Sequence, residues 1–374
     1  MTATIGEPET ASIVRQSRLP DAAMVGALYV ASIVGALALS ALLVAATGGS
    51  WTKVFSALID GSVRNDGAWG DTLSRMAPLL LVATGAIVSA RAGLVNIGQE
   101  GQLLLGAVFA AYLGNHMSGP GPLVIVCALV FGALGGALWA GIAAALRFGR
   151  GVPEVLSTLL LVFVAFPLLA YGLRSKSLLL DTDPAVRQQL NTGTRLPADR
   201  RLPRLDLFGN QFDLGVVIAL VVVVLGGLVL SRTVWGFRLR MLGLNQRTAQ
   251  RMGVAAAAVG TVALLVSGAL AGVAGGVLLA GTPDYRITVG FSRNFGWDGL
   301  LVALLARNRP FLVIPMAFIF AGLRTGSGYL AATGVASDIV DVVQALLVLA
   351  LLIPPAVLFV RDRRRAIAAA HGRP

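Results

Sequence analysis

The sequence predicts an all-α polytopic membrane protein of about ten transmembrane helices (8–10), folded as two inverted five-helix halves. Three observations carry this prediction. Hydrophobic residues make up 56% of the chain and charged residues only 13%, where about a quarter would be charged in a soluble globular domain. Apolar runs of spanning length recur, and arginines cluster at their ends. A polar hexapeptide, Asn96-Ile-Gly-Gln-Glu-Gly101, interrupts two apolar runs and returns as Asn294-Phe-Gly-Trp-Asp-Gly299 at the start of another. Both read Asn-x-Gly-x-acid-Gly.

Residues 1–21 form a polar tail with Arg15 and Arg18, expected on the cytoplasmic side. The apolar run that follows exceeds a signal-peptide core, which predicts a retained first span over 24–46. Residues 47–75, with Trp51 and Trp69, read as an outer loop or interfacial segment. A short second span, 76–90, leads into the first motif, and a third continues to Gly114. The fourth, 121–146, stops at Arg147 and Arg150. After a fifth span over 155–173 comes the longest polar segment, 174–211, predicted to be external. Its seven basic residues do not oppose that placement, because long translocated loops follow the positive-inside rule poorly.

The sixth span covers 212–230. Segment 231–254 holds Arg232, Arg238, Arg240, Arg247 and Arg251 and no acidic residue, which marks it as cytoplasmic. The seventh span covers 255–281, and the second motif opens a short eighth over 296–306, stopped by Arg307 and Arg309. The ninth covers 310–324, and Asp338 and Asp341 open a tenth over 339–359. A basic tail, 361–374, closes the chain on the cytoplasmic side. Residues 22–360 thus form one transmembrane domain with both termini inside. The first motif then enters from the inside and the second from the outside, so spans 1–5 and 6–10 are inverted repeats.

Polar groups within a span are expensive and point to function. Asn96 is a candidate helix N-cap, with Gln99 completing a capping box. Glu100 and Asp298 would lie in first turns, where the helix dipole favours negative charge. These residues either cap a broken helix or line a polar path, and Gln102, Asn294 and Trp297 are further candidates for that path. The stripes Gly132-x-x-x-Gly136 and Gly268-x-x-x-Gly272-x-x-x-Gly276 predict close helix packing.

Several classes are excluded. Cys127 is the sole cysteine, and His116 and His371 lie far apart, so neither a disulfide nor a metal cluster is expected. The net charge of +12 sits at span ends, which favours a lipid bilayer over nucleic acid. No catalytic constellation and no phosphate-binding Gly-x-x-x-x-Gly-Lys loop is present. The chain is not expected to be an enzyme or to hold a cofactor.

The stretch Arg91-Ala-Gly-Leu-Val-Asn-Ile-Gly-Gln-Glu-Gly-Gln-Leu-Leu-Leu-Gly-Ala107 resembles the permease subunits of bacterial ABC importers. The similarity is to the branched-chain amino acid/ribose type, within its nucleoside and simple-sugar branch. Further matches are Glu154-Val-Leu-Ser-Thr-Leu159, Arg232-Thr-Val-Trp-Gly-Phe-Arg-Leu-Arg240, Gly243-Leu-Asn-Gln-Arg-Thr-Ala249 and Phe295-Gly-Trp-Asp-Gly-Leu-Leu-Val-Ala-Leu-Leu305. The chain departs from the pattern at Val162, where an Asn is usual, and within Asn245–Ala249. The resemblance implies a permease in the cytoplasmic (inner) membrane that imports a nucleoside or related small polar solute. It implies three partners: an ATPase subunit that uses the ATP, a second homologous permease, and an extracytoplasmic solute-binding lipoprotein. It also implies that 231–254 couples to the ATPase, through Arg240, Gly243, Asn245, Ala249 and Gly253. The rival expectation is an ion-coupled secondary transporter that uses Glu100 and Asp298.

Overall fold

The computed structural model describes residues 18–46, 50–181, 192–207 and 209–330, with helical positions scattered between 342 and 367. Helices dominate because most segments cannot satisfy their backbone in lipid any other way. In chain order they are α1 (Arg18–Ala46), α2 (Trp51–Ile59), α3 (Ala68–Arg91), α4 (Gln99–His116), α5 (Gly121–Arg150) and α6 (Glu154–Arg174). A hairpin of β1 (Arg204–Leu207) and β2 (Asn210–Asp213) follows. Then come α7 (Gly215–Arg232), α8 (Val234–Leu244), α9 (Gln246–Arg251), α10 (Ala256–Gly281), α11 (Phe295–Leu305) and α12 (Val313–Leu330).

Among the described residues, seven helices are long and apolar enough to cross a membrane: α1, α3, α5, α6, α7, α10 and α12 with its preceding turn. An all-α polytopic membrane protein is therefore observed. The expected tenth span and its Asp338 and Asp341 fall largely outside the described residues. Two units can be distinguished. One joins α1 to the described positions after residue 341, and the other is Thr52–Val340.

The segment 47–75 and the short second span require correction. Residues 51–59 are a helix, and the second span begins at Ala68, not at residue 76, giving a 24-residue crossing. Polar residues in its first two turns, Asp71, Ser74 and Arg75, disguised that beginning. They face a cavity of the protein instead of lipid, so their polarity is compatible with a spanning helix. The sixth span likewise starts later than expected, because residues 210–213 belong to the hairpin.

The core is a three-helix contact of α4, α5 and α10 in which glycines replace side chains. A Cβ on Gly272 would lie 2.1 Å from the Gly132 carbonyl oxygen, and one on Gly136 would lie 2.1 Å from that of Gly268. On the α4 side, a Cβ on Gly106 would lie 2.2 Å from Gly272 Cα. The two predicted glycine stripes thus pack on one another. Dispersion at this short range supplies the association that hydrophobicity cannot supply between helices in lipid.

Side-chain levels give the helix directions. Gly85 of α3 lies against Ser267 of α10, while Ser74 and Gly281 both meet Asp213, so α3 and α10 are antiparallel. Helix α4 runs parallel to α10: Gln99 reaches Ser267, Gly106 meets Gly272 and Ala110 lies beside Gly276. Helix α11 runs parallel to α3, with Gly299 against Val82 and the Asn308 carbonyl accepting from Arg91 at 3.2 Å. Thus α4 and α11 point in opposite directions.

Helix α3 ends in a left-handed turn at Gly93 (φ +75°), with Leu94 N–H donating to the Ser89 carbonyl. The chain then climbs back without helix over 94–98. About 16 Å of extended chain covers the roughly 13 Å that nine helical residues rise. That return brings Gln99 level with Val82, well inside the span.

If close glycine packing holds the core, Gly272→Leu should destabilise the detergent-solubilised chain by at least about 1–3 kcal/mol. Gly328→Leu, at a position whose Cβ meets nothing within 4 Å, should cost far less. Melting followed by size-exclusion fluorescence would compare the two, and equal losses would refute the packing account.

Two half-helices meeting at depth as the candidate solute path

The N-termini of α4 and α11 meet, and the first motif's acid seals the meeting. Glu100 lies in the first turn of α4, but its carboxylate serves the other helix. One oxygen accepts from the Gly296 amide at 2.7 Å, in the first turn of α11, and the other accepts from the Ser292 hydroxyl. The approach requires Gly296, whose Cβ would fall 2.4 Å from Glu100 Cα. Two helix ends, each with positive partial charge, are thereby brought onto one carboxylate.

Beside this lies a buried amide cluster. Asn96 and Gln102 pair reciprocally: Asn96 Nδ2 donates to Gln102 Oε1 at 2.8 Å, and Gln102 Nε2 donates to Asn96 Oδ1 at 3.0 Å. Asn96 Nδ2 also donates to Ser267 Oγ at 3.0 Å. Gln99 Nε2 donates to Ser267 Oγ at 3.2 Å and to the Val82 carbonyl at 3.1 Å. All three side chains are fully buried, and Gln99 Oε1 has no partner.

The capping-box expectation is corrected here. The N-cap of α4 is Gly98, not Asn96, and no side chain caps the helix. Asn96 Oδ1 instead accepts from Gly98 N–H at 3.1 Å, making a turn ahead of the helix. Gln99 faces α3 and α10 and does not fold back on Asn96.

The second motif is not a side-chain copy of the first. Asn294 is exposed, in a left-handed conformation (φ +67°), and makes no side-chain cap. Trp297 is half-buried. Asp298 is buried and pairs with Arg324, whose Nε and Nη2 both lie 2.6 Å from Asp298 Oδ2. Arg324 also donates to the Arg293 carbonyl and lies 4.3 Å over the Phe295 ring. Sequence reading missed Arg324, Ser267 and Ser292. Arg324 stands at the expected end of the ninth span, and Ser267 directly precedes the glycine stripe that was read as packing.

The expected coupling residues gather at the Arg91 end. Helix α9 is capped by Asn245, whose Oδ1 accepts from Thr248 N–H at 3.1 Å. Ala249 is buried beneath it, and Gly253 closes it at φ +81°. Gly243 packs on the Arg91 carbonyl, and Arg240 is exposed. Leu244, the last residue of α8, is 87% exposed and Met252, which follows α9, 71%, an apolar pair flanking α9 in the chain.

At the other end, α3, β2, the end of α10 and the loop 282–294 enclose a cavity of about 300 Å³. Phe295, the first residue of α11, lines it. Segment 193–196 ties this loop down, with Gly193 N–H donating to Ile287 and Leu196 N–H to Tyr285, both at 2.8 Å. Asp213 borders the cavity, and burial pushes its carboxyl up to about 6, with Ser74 beside it acting the other way.

Removing one member of a buried ion pair strands the other charge. Arg324→Met should therefore cost about 3–5 kcal/mol of stability. The double variant Arg324→Met/Asp298→Leu should recover most of it. Thermal denaturation of the purified chain distinguishes this pair from an ornamental one, for which the two variants would melt alike.

The model for the branched-chain amino acid transport system / permease component matches residues 70–352. The guanosine ABC transporter permease protein NupP of Bacillus subtilis is 32% identical over 322 residues, covering 85% of this chain and 90% of that one. The glucose ABC transporter permease protein TsgB13 of Haloferax volcanii is 32% identical over 287 residues, 75% of each chain. A second guanosine permease of Bacillus subtilis, NupQ, is 26% identical over 257 residues, 67% of this chain and 78% of that one. The broken, polar α3–α4 turn and the opposed α11 lie within the matched region, and the chain belongs to the branched-chain amino acid transport system permease family.

Proposed function

We propose that this chain is the membrane-spanning permease subunit of an ATP-driven importer of nucleosides or sugars, with its solute path beside the meeting of α4 and α11. The observation that carries the reading is the buried cluster of Asn96, Gln99, Gln102 and Ser267 at that meeting. Irregular backbone and amide side chains at membrane depth are compatible with a water-accessible path and costly elsewhere. Permeases named for guanosine and for glucose among the relatives support a solute rich in hydroxyl groups.

The opposed directions of α4 and α11 support two inverted halves of five helices each, completed by the predicted tenth span. Arginines at the Arg91 end support its placement on the cytoplasmic side of the inner membrane, with both termini there. The hydrolysis of ATP belongs to a separate subunit, into whose surface α9 docks with Leu244 and Met252. Two guanosine permeases in one Bacillus favour pairing with a second, homologous permease. An extracytoplasmic binding lipoprotein delivers the solute to the Asp213 end. Closure of the ATPases then rocks the two halves about the Glu100 contact.

The ion-coupled alternative draws less support, because Glu100 is engaged by Ser292 and Gly296 and Asp298 by Arg324. In vesicles holding the whole complex, uptake should require ATP and survive collapse of ion gradients. Uptake driven by a gradient without ATP would refute the proposal. Leu244→Asp should reduce ATP-driven uptake at least about tenfold, the effect of roughly 1.4 kcal/mol at one coupled step. Solute binding by the external receptor should not change. Normal uptake by this variant would remove α9 from the coupling surface.

A further inference from the structure

We propose that the cavity at the Asp213 end is an outer binding site for the sugar ring of the solute, recognised through its vicinal hydroxyl groups. The inference rests on the reading of the chain as an importer permease for nucleosides or sugars.

Size sets the first limit. About 300 Å³ is the low end of small-molecule sites, enough for a nucleoside or monosaccharide and too small for a peptide. Charge sets the second. Four arginines (Arg75, Arg204, Arg286, Arg293) face three aspartates (Asp71, Asp213, Asp284) around the cavity, a near balance that disfavours a phosphorylated, multiply charged solute. Guanidinium groups offer only donors and carboxylates only acceptors. A hydroxyl both donates and accepts, so adjacent hydroxyls on one ring can satisfy a carboxylate and a guanidinium together. Phe291 and Phe295 also line the site and give the apolar face of a sugar or base something to lie against.

Asp213 is the most buried of the three aspartates at the cavity wall. It is only 4% exposed, it lines the cavity, and its Oδ1 has no hydrogen-bond partner. Such an atom is costly unless something donates to it. A second orphan acceptor, Gln99 Oε1, belongs to the buried amide cluster.

The test uses the full-length chain assembled with its partner permease and ATPase in proteoliposomes. Gln211 is exposed and lines the cavity, so Gln211→Cys places a thiol at its edge. Labelling by an external methanethiosulfonate is then timed, with the parent chain correcting for Cys127. Guanosine or glucose should slow labelling at least about fivefold at concentrations that saturate uptake. The arm that protects identifies which class is carried. Leucine should not protect, and 2′,3′-dideoxyguanosine should protect less than guanosine.

Asp213→Asn should raise the half-saturating concentration for the protecting solute about tenfold while the complex keeps its size-exclusion profile. If that variant fails to assemble, protection of the Gln211→Cys thiol decides alone. Protection by leucine alone, equal protection by the dideoxynucleoside, or no protection by either sugar-bearing solute would overturn the proposal. ATP-driven uptake on the same vesicles separates the two readings. Uptake of guanosine or glucose without protection defeats the site and leaves the importer standing. Protection without ATP-driven uptake supports the site and defeats the importer.

Discussion

A carboxylate at membrane depth must be fully occupied, and in this protein Glu100 meets that demand by closing a helix to which it does not belong. Its two oxygens take the Gly296 amide and the Ser292 hydroxyl, nearly 200 positions further along the chain. Each unsatisfied polar group in the hydrocarbon region costs several kcal/mol. Pulling α4 from α11 would expose the carboxylate and the first turn of α11 together. The contact therefore constrains everything next to it: the return of the chain from Arg91 to Gln99, the opposite directions of the two half-helices, and the position of Phe295.

Glycine makes this arrangement sterically possible. With side chains at Gly132, Gly136, Gly268 and Gly272, α5 and α10 could not approach so closely, and Gly106 performs the same service for α4. The tight bundle fixes Ser267 of α10 where Asn96 and Gln99 both reach it. Packing and polarity are thus one design here. The small-residue stripe that holds helices together also carries the hydroxyl on which the buried amides converge.

Corrections to the sequence reading share a cause. The second span looked short because Asp71, Ser74 and Arg75 interrupt its hydrophobicity, yet these residues face a cavity enclosed by distant segments. Asn96 looked like a cap because it stands three residues before Gln99, yet its partners are Gln102 and Ser267. Arg324 stands where the ninth span was expected to end and drew no reading of its own, yet it neutralises Asp298. Hydropathy scores each residue as though its surroundings were lipid or water. These residues meet protein partners instead: a cavity wall, an amide cluster and an ion pair.

By itself the sequence determined the class of molecule, the approximate places of most spans, the segments that carry arginine without acidic residues, and the two motifs where helices would break. Those features follow from local composition, because a helix must bury its backbone and a basic loop must stay on one side. The tertiary structure alone decided that the two motifs meet, that Glu100 closes the opposing helix, and that Asn96 is buried while its counterpart Asn294 is exposed. No local rule contains those facts. They depend on how deep the non-helical stretch after Arg91 returns into the bundle, and the close contact of α4 with α10 sets that depth.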